Sequence, residues 1–396
     1  MRNTQTITAT EMRGINRSAV LETIRCHGPI ARTRIAEMLQ VSLPTVMRIV
    51  DELIAEDLVK PTGNTEWSGG RRRPLLEFNA QGHLVVGVDL TEDCLYGAVT
   101  DLAGSILTET EMQHNLRGAA CYDPLVAFID NLLQNARLSD KKIRGIGVSV
   151  QGITYYEEGV VHWAPSLEWS DFPLREKLQQ HFKLPVILDE DVNLSVLGEM
   201  WFGVGQNCRN LALVIVGKGI GAGIIVDGVI YRGSHLFAGE IGYLLPDRSH
   251  LGIHLKGGGA LESLASCTNT VARARQVLKD SLSEERLASL TIGEMLNAYQ
   301  RGESWATSLI EEMIDYLAQA IVALTVCFDP DMIILSGDVL CVADILIEPI
   351  LQRINGVIPV LPRLVASRLG RRAVVMGAIM ETLYNTADFY VVHRLM

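Results

Sequence analysis

The chain has 396 residues, 48% of them apolar and 6% aromatic, with a net charge of −11. That length exceeds one ordinary domain, that composition excludes a disordered or collagen-like chain, and no apolar run is long enough for a membrane span. The charge is uneven: residues 1–73 carry 11 Lys and Arg against 8 Asp and Glu, and the remainder carries 24 against 38. A basic head on an acidic body suits a DNA-binding module joined to a part that does not touch nucleic acid. Cys26, Cys94, Cys121, Cys208, Cys267, Cys327 and Cys341 form no CxxC pair. Their odd number and spacing argue against a disulfide framework and against a closed cysteine-rich zinc site. No apolar stretch of signal-peptide type follows Arg2 and Arg13, so the expected location is the reducing cytoplasm.

Taken in chain order, residues 1–14 are polar. Three short helices follow. The first spans 15–26, with Val20, Leu21 and Ile24 on one face, and the second spans 33–39, with Ile35, Ala36 and Leu39 inward. Val41 and Ser42 make the turn between the second and third; Ser42 is a suitable N-cap, and Pro44 in the first turn costs no hydrogen bond. The third helix runs to Glu56 on an apolar stripe of Val46, Ile49, Val50, Leu53 and Ile54. Residues 58–60 and 75–78 then read as two strands of a wing around Gly69, Gly70 and an arginine run.

From Leu84 the texture changes. A continuous apolar strand is expected at 84–89, an alternating one at 94–101 and a third at 106–112, then a helix at 124–138 and a buried strand at 143–150. Strands and helices keep alternating, through a long helix at 305–328, a strand at 332–335 and a helix at 374–383. Three adjacent strands, a helix and then mixed elements fit α/β sheets with helical cover, and over 300 residues suggest two lobes with a cleft.

The head reads as a winged helix-turn-helix. A recognition helix enters the major groove with its N-terminal residues near base edges, which singles out Ser42, Leu43, Pro44, Thr45, Met47 and Arg48. Leu43 and Met47 suit a thymine methyl, while Thr45 and Arg48 suit a phosphate or base edge. Arg71, Arg72 and Arg73 on the wing suit phosphates or a narrow minor groove. Alone, an arginine run is more often a solvated face; the three-helix pattern ahead of it changes that balance. Head and body together resemble the repressors of the ROK family (repressors, open reading frames and kinases), over essentially the whole chain. Ala31 stands where that family usually has a serine cap, and Met47 where it often has serine.

In the body, Gly217, Gly219, Gly221 and Gly223 recur at every second position, which permits close approach to an anion or to another strand. Their spacing matches neither GxGxxG nor the Walker A loop. They resemble the second phosphate segment of ROK kinases. The family's first segment, Asp-x-Gly-Gly-Thr-Lys, is here Asp89-Leu90-Thr91-Glu92-Asp93, which argues against ATP binding. Leu188-Asp189-Glu190-Asp191-Val192-Asn193 resembles the family's Asn-Asp-Ala-Asn segment, which implies that Asp191 is the equivalent of the catalytic base. Read without the family, the three acids are a solvated turn cap. Ser166-Leu167-Glu168-Trp169 lies where the family contributes sugar contacts, and Gln151-Gly152 follows a strand end.

The family's structural zinc needs one histidine and three cysteines. Tyr243, Ile253, Leu255 and Ala260 stand at those positions, and they cannot supply the soft or imidazole ligands zinc requires. His250 and His254 read as surface residues. Glu240 and Glu262 keep the family's letters, and Glu262 matches its sugar-contacting glutamate. Pro330 to Val339 resembles the segment that packs near adenosine in kinases and is scaffold here. The expected fold is therefore α/β: a winged helix-turn-helix at 1–80, then a two-lobed actin-like, ribonuclease H-like sugar-kinase body. Its first lobe spans 81–195, with a C-terminal helix at 374–396 returning to it, and its second spans 196–373. The expected function is a sugar-responsive transcriptional regulator, a repressor of carbohydrate-use genes. Asp191, Asn193, Glu240, Tyr243, Glu262 and Glu168 would bind a small carbohydrate. The partner is a double-stranded, pseudo-palindromic operator bound by a homodimer or higher homo-oligomer, with no cofactor and no metal. A sugar kinase with an appended head and a constitutive DNA-binding protein with a degenerate body remain as alternatives.

Overall fold

The computed structural model describes residues 9–68, 71–137, 141–255 and 258–386. The head consists of α1 (Ala9–His27), β1 (Ile30–Ala31), α2 (Arg32–Leu39), α3 (Leu43–Ala55), β2 (Val59–Ser68) and β3 (Arg71–Phe78). The 3.6-residue spacing of Val46, Ile49, Val50 and Leu53 puts all four on the buried face of α3, with Val20, Leu21, Ile24 and Ile35 buried alongside on α1 and α2. Each such side chain contributes roughly 1.5–3 kcal/mol of burial. Helix α2 ends where Gln40 turns left-handed at φ 53° and its amide caps the last carbonyls. Strands β2 and β3 form the wing as an antiparallel pair, with an irregular register between Pro61 and Thr65, and β1 adds to the other side of β3.

Head and first sheet are joined without a free linker. The carbonyl of Glu56, just past α3, accepts from His83 Nε2 at 2.7 Å, while its carboxylate pairs with Arg17 of α1 at 2.7 Å. Asn79 donates through its backbone to Leu58 at 2.9 Å and through its side chain to the Asp57 carbonyl at 3.0 Å.

His83 opens β4 (His83–Leu90), which pairs antiparallel with β5 (Cys94–Asp101) and parallel with β7 (Lys142–Val150); β6 (Ile106–Gln113) pairs with β5. With β11 (Val186–Glu190) the order is β11-β7-β4-β5-β6. Strands β4 and β5 are buried along their whole length, which matches the continuous apolar run of β4; β5, which alternates in sequence, is buried on both faces all the same. Helix α4 (Tyr122–Arg137) covers the sheet through Leu125, Phe128, Ile129 and Leu132, and Gly97 lets it approach: a Cβ there would lie 2.6 Å from Leu132 Cδ1. The region between β7 and β11 holds β8 (Ile153–Tyr155), β9 (Val160–Ala164), β10 (Trp169–Phe172) and α5 (Leu174–Phe182).

The chain forms two compact units: Met1–Gly152, Tyr156–Asp189 and Ala378–Met396 make one, and Ile153–Tyr155 and Glu190–Gly377 make the other. The second unit contains α6 (Asp191–Phe202), β12 (Leu211–Val216), β13 (Ile220–Val226), β14 (Val229–Ile230), α7 (Ala260–Ala265), α8 (Cys267–Val277), α9 (Glu284–Ala288), α10 (Ile292–Gln300), α11 (Ser304–Phe328), β15 (Met332–Gly337), α12 (Ala343–Ile354) and β16 (Leu364–Ala366). Its sheet runs β14-β13-β12-β15-β16, with α11 supplying Leu309, Ile310, Met313, Ile314, Leu317 and Ile321 to the core. Glu199 on α6 is fully buried, and its carboxylate is satisfied by Ser367 Oγ, Leu369 N and Val204 N at 2.5–2.9 Å. The last helix, α13 (Arg372–Thr386), ends in the first unit, where a Cβ on Gly147 of β7 would meet Ala378 O at 2.3 Å. Of the returning segment, residues 387–396 lie outside the described residues.

Candidate functional site

Two surfaces carry the expected chemistry. On the head, Ser42, Leu43, Pro44, Met47 and Arg48 are exposed at the start of α3, and Thr45 is half-buried. Ser42 occupies the N-cap, but its hydroxyl pairs with the Thr45 hydroxyl at 2.8 Å and caps no backbone amide. Arg48 is held one turn along the helix by Glu52 at 2.9 Å, and Glu52 also takes Arg13 of α1 at 2.9 Å. The three wing arginines open strand β3 itself: Arg71, Arg72 and Arg73 stand opposite Ser68, Trp67 and Glu66. Arg73 donates to Thr33 Oγ1 at 2.6 Å, which ties the wing to α2. The expected wing tip, Gly69 and Gly70, lies outside the described residues.

The second surface belongs to the second unit. Helix α6 begins at Asp191, whose Oδ1 accepts from Val192 N at 2.9 Å. Asn193 is turned inward: it is buried, and its amide donates to Glu190 Oε2 at 3.2 Å. Glu190 also accepts from Thr154 N at 3.0 Å, so this buried carboxylate anchors the start of α6. Glu240 is brought alongside by Gly239. At φ 93°, with a would-be Cβ only 1.9 Å from Ala222 O, only glycine fits there, and Ala222 N donates to Gly239 O at 2.8 Å. Glu262, near the start of α7, accepts from Ile220 N at 3.0 Å.

Asp191, Glu240 and Glu262 thus converge. Burial, then the charges of Asp191 and Glu262, push the Glu240 carboxyl up to about 7. Burial also raises Glu262, against the opposing amide of Ile220. The Tyr243 phenol is raised by burial and then by the charges of Glu240 and Glu262. Its ring leans on Phe237, with centroids 5.4 Å apart.

The four alternating glycines have packing roles. Gly223 and Gly221 of β13 face α6: a Cβ would lie 2.1 Å from Val192 O and 3.0 Å from Val192 Cγ1 respectively. Gly219 faces Glu262 Oε2 at 2.7 Å and Gly217 faces Asp338 Oδ2 at 3.3 Å, again measured from a would-be Cβ. The turn after β4 is closed on itself. Thr91 Oγ1 bonds Asp93 Oδ1 and Cys94 O at 3.0 Å, and Arg117 donates to the Glu92 carbonyl at 2.6 Å.

Glu168 belongs to the first unit, where it is left-handed at φ 56° with Gly118 and Cys121 nearby. The residues at the family's zinc positions do not fit the metal. Tyr243, Ile253 and Leu255 are exposed and Ala260 is buried, and none offers a thiolate or imidazole. His250 bonds Asp247 at 3.3 Å. The sequence does not single out the Glu190 anchor or the Phe237 ring; Glu190 is adjacent to Asp191, and Phe237 to the Ala238-Gly239-Glu240 run.

Comparison with known proteins accounts for both parts. A MarR family model matches residues 15–66. A xylose repressor of Caldicellulosiruptor bescii is 29% identical over 393 residues, 96% of this chain and 98% of that protein. A glucokinase of Halalkalibacterium halodurans is 31% identical over 283 residues, 67% of this chain and 84% of that one. The crystal structure of a ROK family transcriptional regulator homologous to the E. coli Mlc protein superposes with a TM-score of 0.83 at 24% identity, covering 97% of this chain and 99% of that one. The ROK family model matches residues 85–383, well over half of the sequence, and the chain belongs to the ROK family.

Proposed function

We infer that this protein is a cytoplasmic, sugar-responsive transcriptional repressor whose kinase-like body is the sensor. The observation that carries this reading is the union in one chain of a winged head with an exposed α3 start and a ROK body with clustered Asp191, Glu240 and Glu262. Carboxylates accept bonds from sugar hydroxyls, and a protonated Glu240 can also donate one. The working division is a head at 1–80, a first lobe at 81–195 with the C-terminal segment, and a second lobe at 196–373. One head reads a short site, so two heads of a homodimer on a pseudo-palindromic operator are proposed. Sugar would act by favouring a dimer geometry that fits the operator less well, which requires different sugar affinities in the two states.

Support comes from the xylose repressor that aligns end to end, which makes D-xylose the first sugar to try. The test is selection of genomic DNA fragments by the full-length protein, then footprinting of the winners with and without a monosaccharide panel. Recovery of a footprint released by one sugar supports the reading; no selected DNA overturns it. The kinase alternative is supported by the glucokinase likeness and by Asp191, and sugar-dependent ADP release lost in Asp191→Ala would establish it.

A further inference from the structure

We propose that Phe237 and Tyr243 form a stacking platform beside the carboxylate cluster, so that the ligand is a glycoside longer than one sugar, a disaccharide or an aryl glycoside. This rests on the sugar-sensor reading and names the ligand class within it. Two large aromatic rings are normally drawn into a core, yet Phe237 is 48% and Tyr243 42% exposed. They touch each other, with centroids 5.4 Å apart and planes tilted by 51°.

The backbone holds Phe237 in that place. Residues 232–238 form a closed loop in which Ala238 N donates to Arg232 O at 3.2 Å, and a Cβ on Gly233 would lie 3.3 Å from Ala238 Cβ. Leu236, immediately before the ring, is left-handed at φ 55°, a conformation a branched side chain adopts only under constraint. At the other end, Tyr243 is fixed to the cluster: its amide bonds Glu240 O at 3.1 Å, and Gly242 beside it faces Glu262, with a would-be Cβ 3.3 Å from Oε2. Carboxylates, phenol and exposed ring therefore form one continuous strip.

The chemistry of that strip selects the ligand. Carboxylates satisfy the hydroxyl rim of a pyranose, whereas an aromatic face packs on its C–H face and needs no hydrogen bonds. One sugar ring held by Asp191, Glu240 and Glu262 saturates the polar end. Phe237, farther along, meets a second ring attached to the first through its glycosidic oxygen.

The experiment is calorimetry on the full-length protein with matched pairs: D-xylose and xylobiose, D-glucose and cellobiose, N-acetyl-D-glucosamine and diacetylchitobiose, and the p-nitrophenyl glycoside of each monosaccharide. In at least one series the extended member binds about tenfold tighter than the monosaccharide. Phe237→Ala removes most of that gain and leaves the monosaccharide affinity unchanged, and Phe237→Tyr restores it. Equal affinity for monosaccharide and extended partner, or a gain untouched by Phe237→Ala, overturns the platform while leaving the sensor reading intact. If no saccharide binds, both readings fall. Self-association that Phe237→Ala abolishes, with saccharide affinities unmoved, assigns the aromatic strip to a second copy of the chain instead.

Discussion

Replacing Glu240 with glutamine tests the electrostatics of the cluster. Burial and the neighbouring Asp191 and Glu262 move this carboxyl from 4.5 to about 7. A folded value above the unfolded one means that the native state holds a proton which the unfolded chain releases. The stabilisation is therefore fully present below pH 4.5 and is lost as pH rises through about 7. Over that interval the full cost of ionisation is roughly 3 kcal/mol, and partial solvent access lowers it to about 1–3 kcal/mol. Glutamine keeps the shape and cannot ionise. In a unit of this size the substitution should raise the melting temperature by about 3–8 °C at pH 8 and leave it unchanged near pH 4.5. The assay is calorimetry of both full-length proteins at several pH values and one ionic strength, read as the difference between them so that other titrating groups cancel. A difference that is the same at pH 5 and pH 8, or that shrinks as pH rises, refutes the argument.

Three further outcomes follow from the same geometry. Leu43→Ala and Met47→Ala remove exposed contacts from α3, so each should weaken operator binding about tenfold without altering the melting temperature; unchanged affinity in both would remove α3 as the reading helix. Gly223→Ala puts a Cβ 2.1 Å from Val192 O and should destabilise the second unit by about 1–3 kcal/mol in urea melts, whereas Gly228→Ala, with open space around it, should show only the smaller cost of its positive φ. Elemental analysis of chelator-washed protein should find no stoichiometric zinc, and one tightly held zinc per chain would contradict the ligand argument at Tyr243, Ile253, Leu255 and Ala260.

What could be read from sequence divides by physical cause. Helix α3 was legible because its stability comes from an apolar stripe with helical period, and strand β4 because continuous burial demands a continuous apolar run. Helix α1 begins at Ala9, earlier than its apolar pattern predicts. Its polar first turns are held by tertiary ion pairs, Arg13 to Glu52 and Arg17 to Glu56, which leave no periodic trace. Strand β2 runs through Pro61 and Gly63, residue types that favour turns; the pairing absorbs them as an irregularity. In the body, the acids were visible through the family's motif. Phe237 was invisible, because an exposed ring on a Gly-Ser loop belongs to no period.

The glycine run leaves anion binding and close packing both open from sequence, and its surroundings bear on the choice. Phosphoryl transfer requires donors arranged around the phosphate oxygens, and a retained base cannot replace them. Gly217 N already donates to Gly219 O at 3.0 Å, and Ile220 N already donates to Glu262 at 3.0 Å. Gly217 and Gly219 look onto the carboxylates of Asp338 and Glu262. Two of the turn's amides are therefore engaged and two of its glycines face carboxylates, while Lys218 places a cation in the same turn. On the proposed reading a sugar hydroxyl would find acceptors in Asp191, Glu240 and Glu262. On that reading the body would register a sugar without consuming it, and the free energy of binding would be left to shift the geometry of the DNA-binding heads.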